Sequence, residues 1–289
     1  MPDRILSIRN LRKTFRGRDG RLQTVLDDVS FDVHRGETLI IMGGSGCGKS
    51  TLLNCLIGEY VVDSGHIAFH TKDMKEPVDI VGVDEKRMNE IRKKFGILFQ
   101  SGALFNSMTL ADNVALPLQE HSIVDPSIID IVVTLKLQQV HMLPHRDKLP
   151  SQLSGGQKKR AGLARATALD PEILFYDEPS AGLDPVTSAS IDELIMDLSK
   201  KLSVTSIVVT HEMDSAFRIA DRMVMLDKGR VLRIGTREEF DELRKTPTDH
   251  LTTREDKLIC QFLNGNTSGP LTDAEGLSEY EKLLVAGEE

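Results

Sequence analysis

No run in this sequence approaches the roughly 18 consecutive apolar residues that a membrane-spanning helix requires. Its most apolar stretches, 38–42 and 206–209, are strand-length. The N-terminus lacks the apolar segment of a secretory signal. Cysteine is scarce. Three in 289 residues, far apart and odd in number, exclude a disulfide framework or a cysteine-rich zinc site and suit a reducing compartment. Positive charge is also short, with 36 Lys and Arg against 44 Asp and Glu for a net charge of −8. Broad electrostatic binding to nucleic acid needs clustered cations, so nucleic acid is not an expected partner. The one dense basic run, 86–94, reads as the solvated face of a helix. Internal repeats and low-complexity tracts are absent. These absences together lead to the expectation of a soluble, cytosolic globular protein.

What is present fits that class. Hydrophobic residues make up 40% and charged residues 28%, an ordinary globular balance. The length corresponds to about two domains or one large one. Apolar strands alternate with helical patterns: strands near 4–42, a helix from Lys49, strands at 172–176, 205–210, 222–227 and 230–234, and helices at 185–202 and 214–219. That alternation predicts an α/β fold with a mainly parallel sheet. A helical block occupies roughly 101–165, inside a domain of 4–245 with a strand-rich start. Residues 246–289 read as an acidic extension, with nine acidic and three basic residues. Within it, Leu258, Ile259, Phe262 and Leu263 line one helical face. Gly265 and Gly269-Pro270 would stop that helix before a mobile end.

The chemistry concentrates in three motifs. Gly43-Gly44-Ser45-Gly46-Cys47-Gly48-Lys49-Ser50, followed by Thr51, lies between an apolar strand and a helix and fits the phosphate-loop pattern. Its glycines let successive amides face phosphate oxygens, and the helix N-terminus adds a favourable dipole. Lys49 suits the β- and γ-phosphates, and the Ser50 hydroxyl suits Mg²⁺. The second motif, 172–178, is a buried strand ending in Asp177 and Glu178. Its position is expected to set Asp177 beside the loop of the parallel neighbour, where it orients Mg²⁺. Glu178 is placed to accept a proton from the attacking water. The third, Leu153-Ser154-Gly155-Gly156-Gln157, opens a basic, Ala-rich helix and offers a second anion-binding N-terminus.

That pentapeptide, its place between the two nucleotide motifs, and His211 after the 205–210 strand resemble the nucleotide-binding subunits of ABC transporters. The resemblance covers about residues 5–240 and implies a P-loop NTPase core binding ATP with Mg²⁺. It further implies that Phe15 stacks on adenine and that Gln100 touches Mg²⁺ or the attacking water. Asp184, in Ser-Ala-Gly-Leu-Asp, would belong to a loop crossing the dimer interface, and His211 would contact the γ-phosphate. Two copies would sandwich two nucleotides, so Ser154, Gly155, Gly156 and Gln157 would serve the partner's ATP.

Within the family, the stretches 99–105, 108–117 and 260–270 are similar to the ATPases of MCE-type phospholipid transporters. The run 157–160 and the Leu183 before Asp184 depart from some members without touching the chemistry. The implied partners are a second copy, membrane permease subunits, a small cytoplasmic accessory subunit and a periplasmic MCE lipid-binding protein. The implied location is the cytoplasmic face of the inner membrane, as a peripheral subunit. An importer ATPase for amino acids or another polar solute is the alternative; a non-transport ABC ATPase is disfavoured by the single cassette, and a non-hydrolysing cassette by the presence of Glu178. The apolar segment 102–108 is read evenly as a permease contact or as packing of the helical block.

Overall fold

A computed structural model describes residues 3–17, 20–72 and 76–271. The chain separates into two compact units, 1–234 and 235–289. In the first, strands β1 (Arg4–Arg16), β2 (Leu22–His34), β4 (Ser64–Phe69) and β5 (Val78–Asp79) form an antiparallel sheet in the order β2-β1-β4-β5. A six-stranded sheet has the order β10-β9-β3-β8-β7-β6. Its members are β3 (Thr38–Gly43), β6 (Phe95–Leu98), β7 (Ile173–Asp177), β8 (Thr205–Val209), β9 (Arg222–Asp227) and β10 (Arg230–Thr236). The pairs from β6 through β9 are parallel. Every residue of β3 and β8 is buried, as expected for central parallel strands covered on both faces.

Helix α1 (Lys49–Leu56) follows β3 directly, and α2 (Glu85–Arg92) is the predicted charged helix, with Met88 and Ile91 turned inward. The helical block consists of α3 (Leu110–His121), α4 (Pro126–Gln139) and α5 (Gly155–Ala166). The body closes with α6 (Pro185–Leu202) and α7 (Met213–Ile219). One core joins the two sheets. Phe69 of β4, Phe95 of β6 and Phe175 of β7 stack edge-on with centroids 5.1 and 5.2 Å apart, a geometry aromatic rings favour.

Three local expectations differ from the structure. Strand β7 does not lie against β3, because β8 sits between them. Val209 of β8 is level with both Ile41 and Asp177, so Asp177 reaches the loop from two strands away, about 10 Å. The apolar pattern of 95–100 predicts a strand reaching Gln100, but β6 ends at Leu98, which puts Gln100 in the following turn. Helix α8 (Arg237–Lys245) was not anticipated, since Phe240 is its one buried residue and all the others but Leu243 are charged. Its start is marked by a reciprocal cap between Thr236 and Glu239.

The second unit begins at Gly235, about ten residues before the predicted extension, because α8 packs with α9 (Arg254–Asn264). Asn264 Nδ2 donates to the Arg244 carbonyl at 2.9 Å. Helix α9 is the amphipathic helix predicted in the extension. Ile259 and Leu263 are buried, Leu258 and Phe262 half-buried, and Gly265 ends it in the left-handed region at φ 63°. The predicted mobile end, 272–289, lies outside the described residues.

Candidate active site

Burial of β3 on both faces carries its C-terminal end to the edge of the core, where the chain must turn into α1. Only glycine meets that demand at Gly43. Its φ is 149°, and a Cβ there would lie 2.2 Å from the Leu226 carbonyl oxygen. Gly48, at φ 110°, is similarly confined by Leu26 and Val25. The Cys47 carbonyl accepts from the Gly229 amide at 3.0 Å, and the Cys47 amide donates to Gly44 at 3.3 Å. Ser45, Gly46 and Ser50 are exposed, with Gly44, Lys49 and Thr51 half-buried. Lys49 Nζ donates to the carbonyls of Gly43 at 2.7 Å and Gly44 at 3.0 Å. The ammonium is thus held over the loop, on acceptors it can exchange for phosphate oxygens.

The two carboxylates arrive at the end of β7. Asp177 is half-buried, and burial raises its pKa, with Glu178 adding to the rise while Lys159 and Lys49 oppose it. The Lys49 ammonium thus acts across β8 to favour the charged form of Asp177. Glu178 leaves the strand with φ 47°, a left-handed conformation that is costly for a side-chain-bearing residue. Its amide still donates to Val209 at 2.9 Å, which anchors it to the end of β8. Two residues beyond that strand end, the exposed His211 brings Nδ1 to 2.8 Å from Glu178 Oε1. The other carboxylate oxygen, Oε2, is buried and has no partner. A buried, unpaired acceptor costs free energy that a bound water can recover.

The pentapeptide forms a second group. Ser154 caps α5, accepting from the Gln157 amide at 3.3 Å, while Gln157 Oε1 accepts from the Ser154 amide at 3.0 Å. Gln157 Nε2 also lies 3.3 Å from His145 Nε2. Gly155 and Gly156 allow close approach of the next loop and helix, since a Cβ would meet Leu183 at 3.3 Å and Thr187 at 2.5 Å. Asp184 caps α6, taking bonds from the amides of Val186 and Thr187 and the Thr187 hydroxyl. Its carboxylate is therefore committed within its own chain, and the Thr187 hydrogen bond holds its pKa below the usual range.

Phe15 is half-buried, edge-on to Tyr60 at 5.4 Å, with Lys13 Nζ 4.9 Å from its ring centre. Gln100 is exposed in its turn. Arg165 of α5 holds that turn's continuation, donating to Ala103 O at 2.7 Å and Gly102 O at 3.3 Å. Asn113 ties the 102–108 segment to α3 through the carbonyls of Phe105, Met108 and Thr109.

Sequence reading missed Lys159. It is buried on α5 and donates to the Glu178 carbonyl at 2.9 Å. Burial lowers its pKa, opposed by Asp177, Glu178 and Glu212. Its only signal was a basic residue on an otherwise Ala-rich inner face. Among the described residues, no group of three or more His, Cys, Asp or Glu could hold a metal. The oxygen donors Ser50 and Asp177, and Gln100 beyond them, suit a hard cation that keeps much of its water.

Residues 26–181 match the ABC transporter family. The intermembrane phospholipid transport system ATP-binding protein MlaF of Haemophilus influenzae is 35% identical over 98% of this chain and 99% of its own. A protein of Mycobacterium leprae named "Probable ribonucleotide transport ATP-binding protein mkl" is 38% identical over 98% of this chain and 76% of its own. Among solved structures, a dimeric post-hydrolysis state of the ATP-binding cassette MJ0796 bound to ADP and Pi aligns with TM-score 0.71 and 28% identity. That alignment covers 80% of this chain and 98% of the cassette.

Proposed function

Because this chain belongs to the ABC transporter family and is an ATPase, we propose that it works as a homodimer on membrane permease subunits at the cytoplasmic face of the inner membrane. Its cargo, on this reading, is phospholipid moved between two membranes. The observation that carries the catalytic part is the convergence of Lys49, Asp177, Glu178 and His211 at the ends of β3, β7 and β8. The glycine loop binds the phosphates through its amides, and Lys49 exchanges its loop carbonyls for the β- and γ-phosphate oxygens. Ser50 and Asp177, with Gln100, would hold Mg²⁺; the half-buried carboxylate of Asp177, pushed up in pKa, is one that a cation stabilises. Bound there, Mg²⁺ supplies neutralisation of the phosphate charge.

Glu178 takes a proton from the attacking water as the water's oxygen bonds to the γ-phosphorus and the bond to ADP breaks. His211 steadies the carboxylate through Oε1 and contacts the γ-phosphate. Phe15 stacks on the adenine ring. Ser154, Gly155 and Gly156, with Gln157 bracing the cap, close the partner's nucleotide, and Asp184 lies in the loop at the dimer interface. The phospholipid reading draws on the relative of Haemophilus influenzae, which matches this chain along nearly its whole length. It brings with it, as further proposed partners, a small cytoplasmic accessory subunit and a periplasmic MCE lipid-binding protein.

The test is Glu178→Gln in the assembled transporter. Turnover should fall by roughly 10²–10⁴ while ATP still binds and the ATP-held dimer persists. Lys49→Ala should instead weaken triphosphate binding. Hydrolysis by Glu178→Gln near the wild-type rate would overturn the assignment of the base. For the cargo, the reconstituted transporter should move labelled phospholipid and leave ribonucleotides untouched; the reverse result would shift the cargo to the class named for the mycobacterial relative.

A further inference from the structure

We propose that Lys159 is a positioning residue for hydrolysis, fixing the main chain of Glu178 from the helix whose N-terminus closes the partner's nucleotide. The inference rests on the reading of Glu178 as base and Ser154 as the contact made across the dimer.

Lys159 lies one and a half turns beyond the Ser154 cap, on the inner face of α5. A lysine buried to 4% exposure is rare, because its ammonium must be fully compensated. The compensation here is specific. Nζ donates to the Glu178 carbonyl at 2.9 Å, and Asp177, Glu178 and Glu212 surround it with negative charge. Glu178 needs such a brace, since φ 47° is a conformation the local chain does not favour. Its amide is held by Val209 and its side chain by His211, and its carbonyl accepts from the Ala181 amide at 3.2 Å within the local turn; Lys159 adds to that carbonyl the one restraint that comes from α5. Bonds from the end of β8 and the segment after it, from the local turn and from α5 then set the direction of the buried, unpartnered Oε2.

The same helix is clamped elsewhere by short-range packing. A Cβ at Gly156 would meet Thr187 of α6 at 2.5 Å, one at Gly162 would meet Leu98 of β6 at 2.8 Å, and Arg160 donates to Ser190 at 2.6 Å. A helix so confined moves as a rigid rod. Any displacement of Ser154 on engaging the partner's nucleotide therefore reaches the Glu178 carbonyl of the same chain through Lys159. One chain's signature end and its own catalytic carboxylate become a single mechanical unit.

Three substitutions test this in the assembled transporter, with turnover expressed per ATP-binding site so that unfolded chains do not count. Lys159→Met keeps the length and removes the donor; kcat should fall roughly 10- to 100-fold, with KM for ATP within about twofold. Lys159→Gln retains a donor and should recover to within about fivefold of the parent. ATP-driven dimerisation of Lys159→Met, read in a Glu178→Gln background, should match that of Glu178→Gln alone, because the Ser154 end is untouched. A merely structural role would lower the melting temperature without this split between kcat and KM. Wild-type kcat in Lys159→Met overturns the proposal. So does loss of ATP-driven dimerisation in step with kcat, which would confine Lys159 to supporting the signature. If Lys159→Met is not recovered folded, Lys159→Gln decides: a kcat loss beyond tenfold at an unchanged melting temperature overturns the role of the donor. Failure of Glu178→Gln itself to slow turnover would instead remove the underlying reading, so the two failures are distinguishable.

Discussion

At the residue scale, Gly43 and Gly44 stand side by side for different reasons. A Cβ on Gly43 would collide with the Leu226 backbone and require φ 149°, whereas nothing lies within 4 Å of one built on Gly44. Gly43→Ala should therefore cost roughly 3 kcal/mol or more of stability. Gly44→Ala should leave the melting temperature within a degree or two and act on nucleotide affinity alone. Thermal denaturation beside a nucleotide titration separates the two, and equal melting temperatures would contradict the packing argument. The cysteines offer a second check. All three are free and buried, and burial raises the Cys47 thiol and takes Cys55 up to about 11. Since the thiolate is the reactive form, a thiol reagent at pH 7.5 should label the native protein slowly and three groups at once in denaturant. Rapid native labelling at Cys47 would show that the phosphate loop opens far more than its hydrogen bonds imply.

Among the elements, α5 carries the most consequences. Its N-terminus presents Ser154, Lys159 reaches Glu178, Arg160 reaches Ser190, and Arg165 holds the loop after Gln100. The exposed cap is the one part of this helix free to meet another molecule. Ser154→Arg should block ATP-driven dimerisation while ATP binding to the single chain stays within about twofold, with a capping loss near 1 kcal/mol. Size-exclusion chromatography with and without ATP checks it, and an ATP-held dimer of Ser154→Arg would refute the contact across the dimer. Helix α9 raises a separate prediction. Buried Ile259 and Leu263 each contribute on the order of 1.5–3 kcal/mol before ordering costs. Truncation after Thr246 should therefore lower the melting temperature by several degrees; an unchanged value would mean the helix is a solvated appendage.

For the whole molecule, the sites on α1, β7 and α5 predict a division of labour between two chains. In a mixed dimer of Lys49→Ala and Ser154→Arg chains, both lesions fall on one nucleotide site and the other stays intact. Trapped nucleotide should amount to one per dimer, and two or none would contradict the shared arrangement.

Much of this was legible in the sequence, and the reasons are local. A phosphate loop announces itself because its glycines, lysine and serine are consecutive and must follow a buried strand and open a helix. The helix starts at Ser154 and Asp184 were readable for the same reason, as were α6 and the αL stop at Gly265: capping is chemistry between neighbours in the chain. Tertiary structure alone decided that β8 separates β3 from β7, since strand order follows from crossover packing and not from any one strand's pattern. It alone bent Glu178 to φ 47° and set it against His211, 33 residues away in the chain. Asp184, read by resemblance into the loop at the dimer interface, has its carboxylate on the cap of α6. Lys159 looked like one basic residue in a basic helix. Burial, which no local pattern of charge records, turned it inward onto the carbonyl of the carboxylate that does the chemistry.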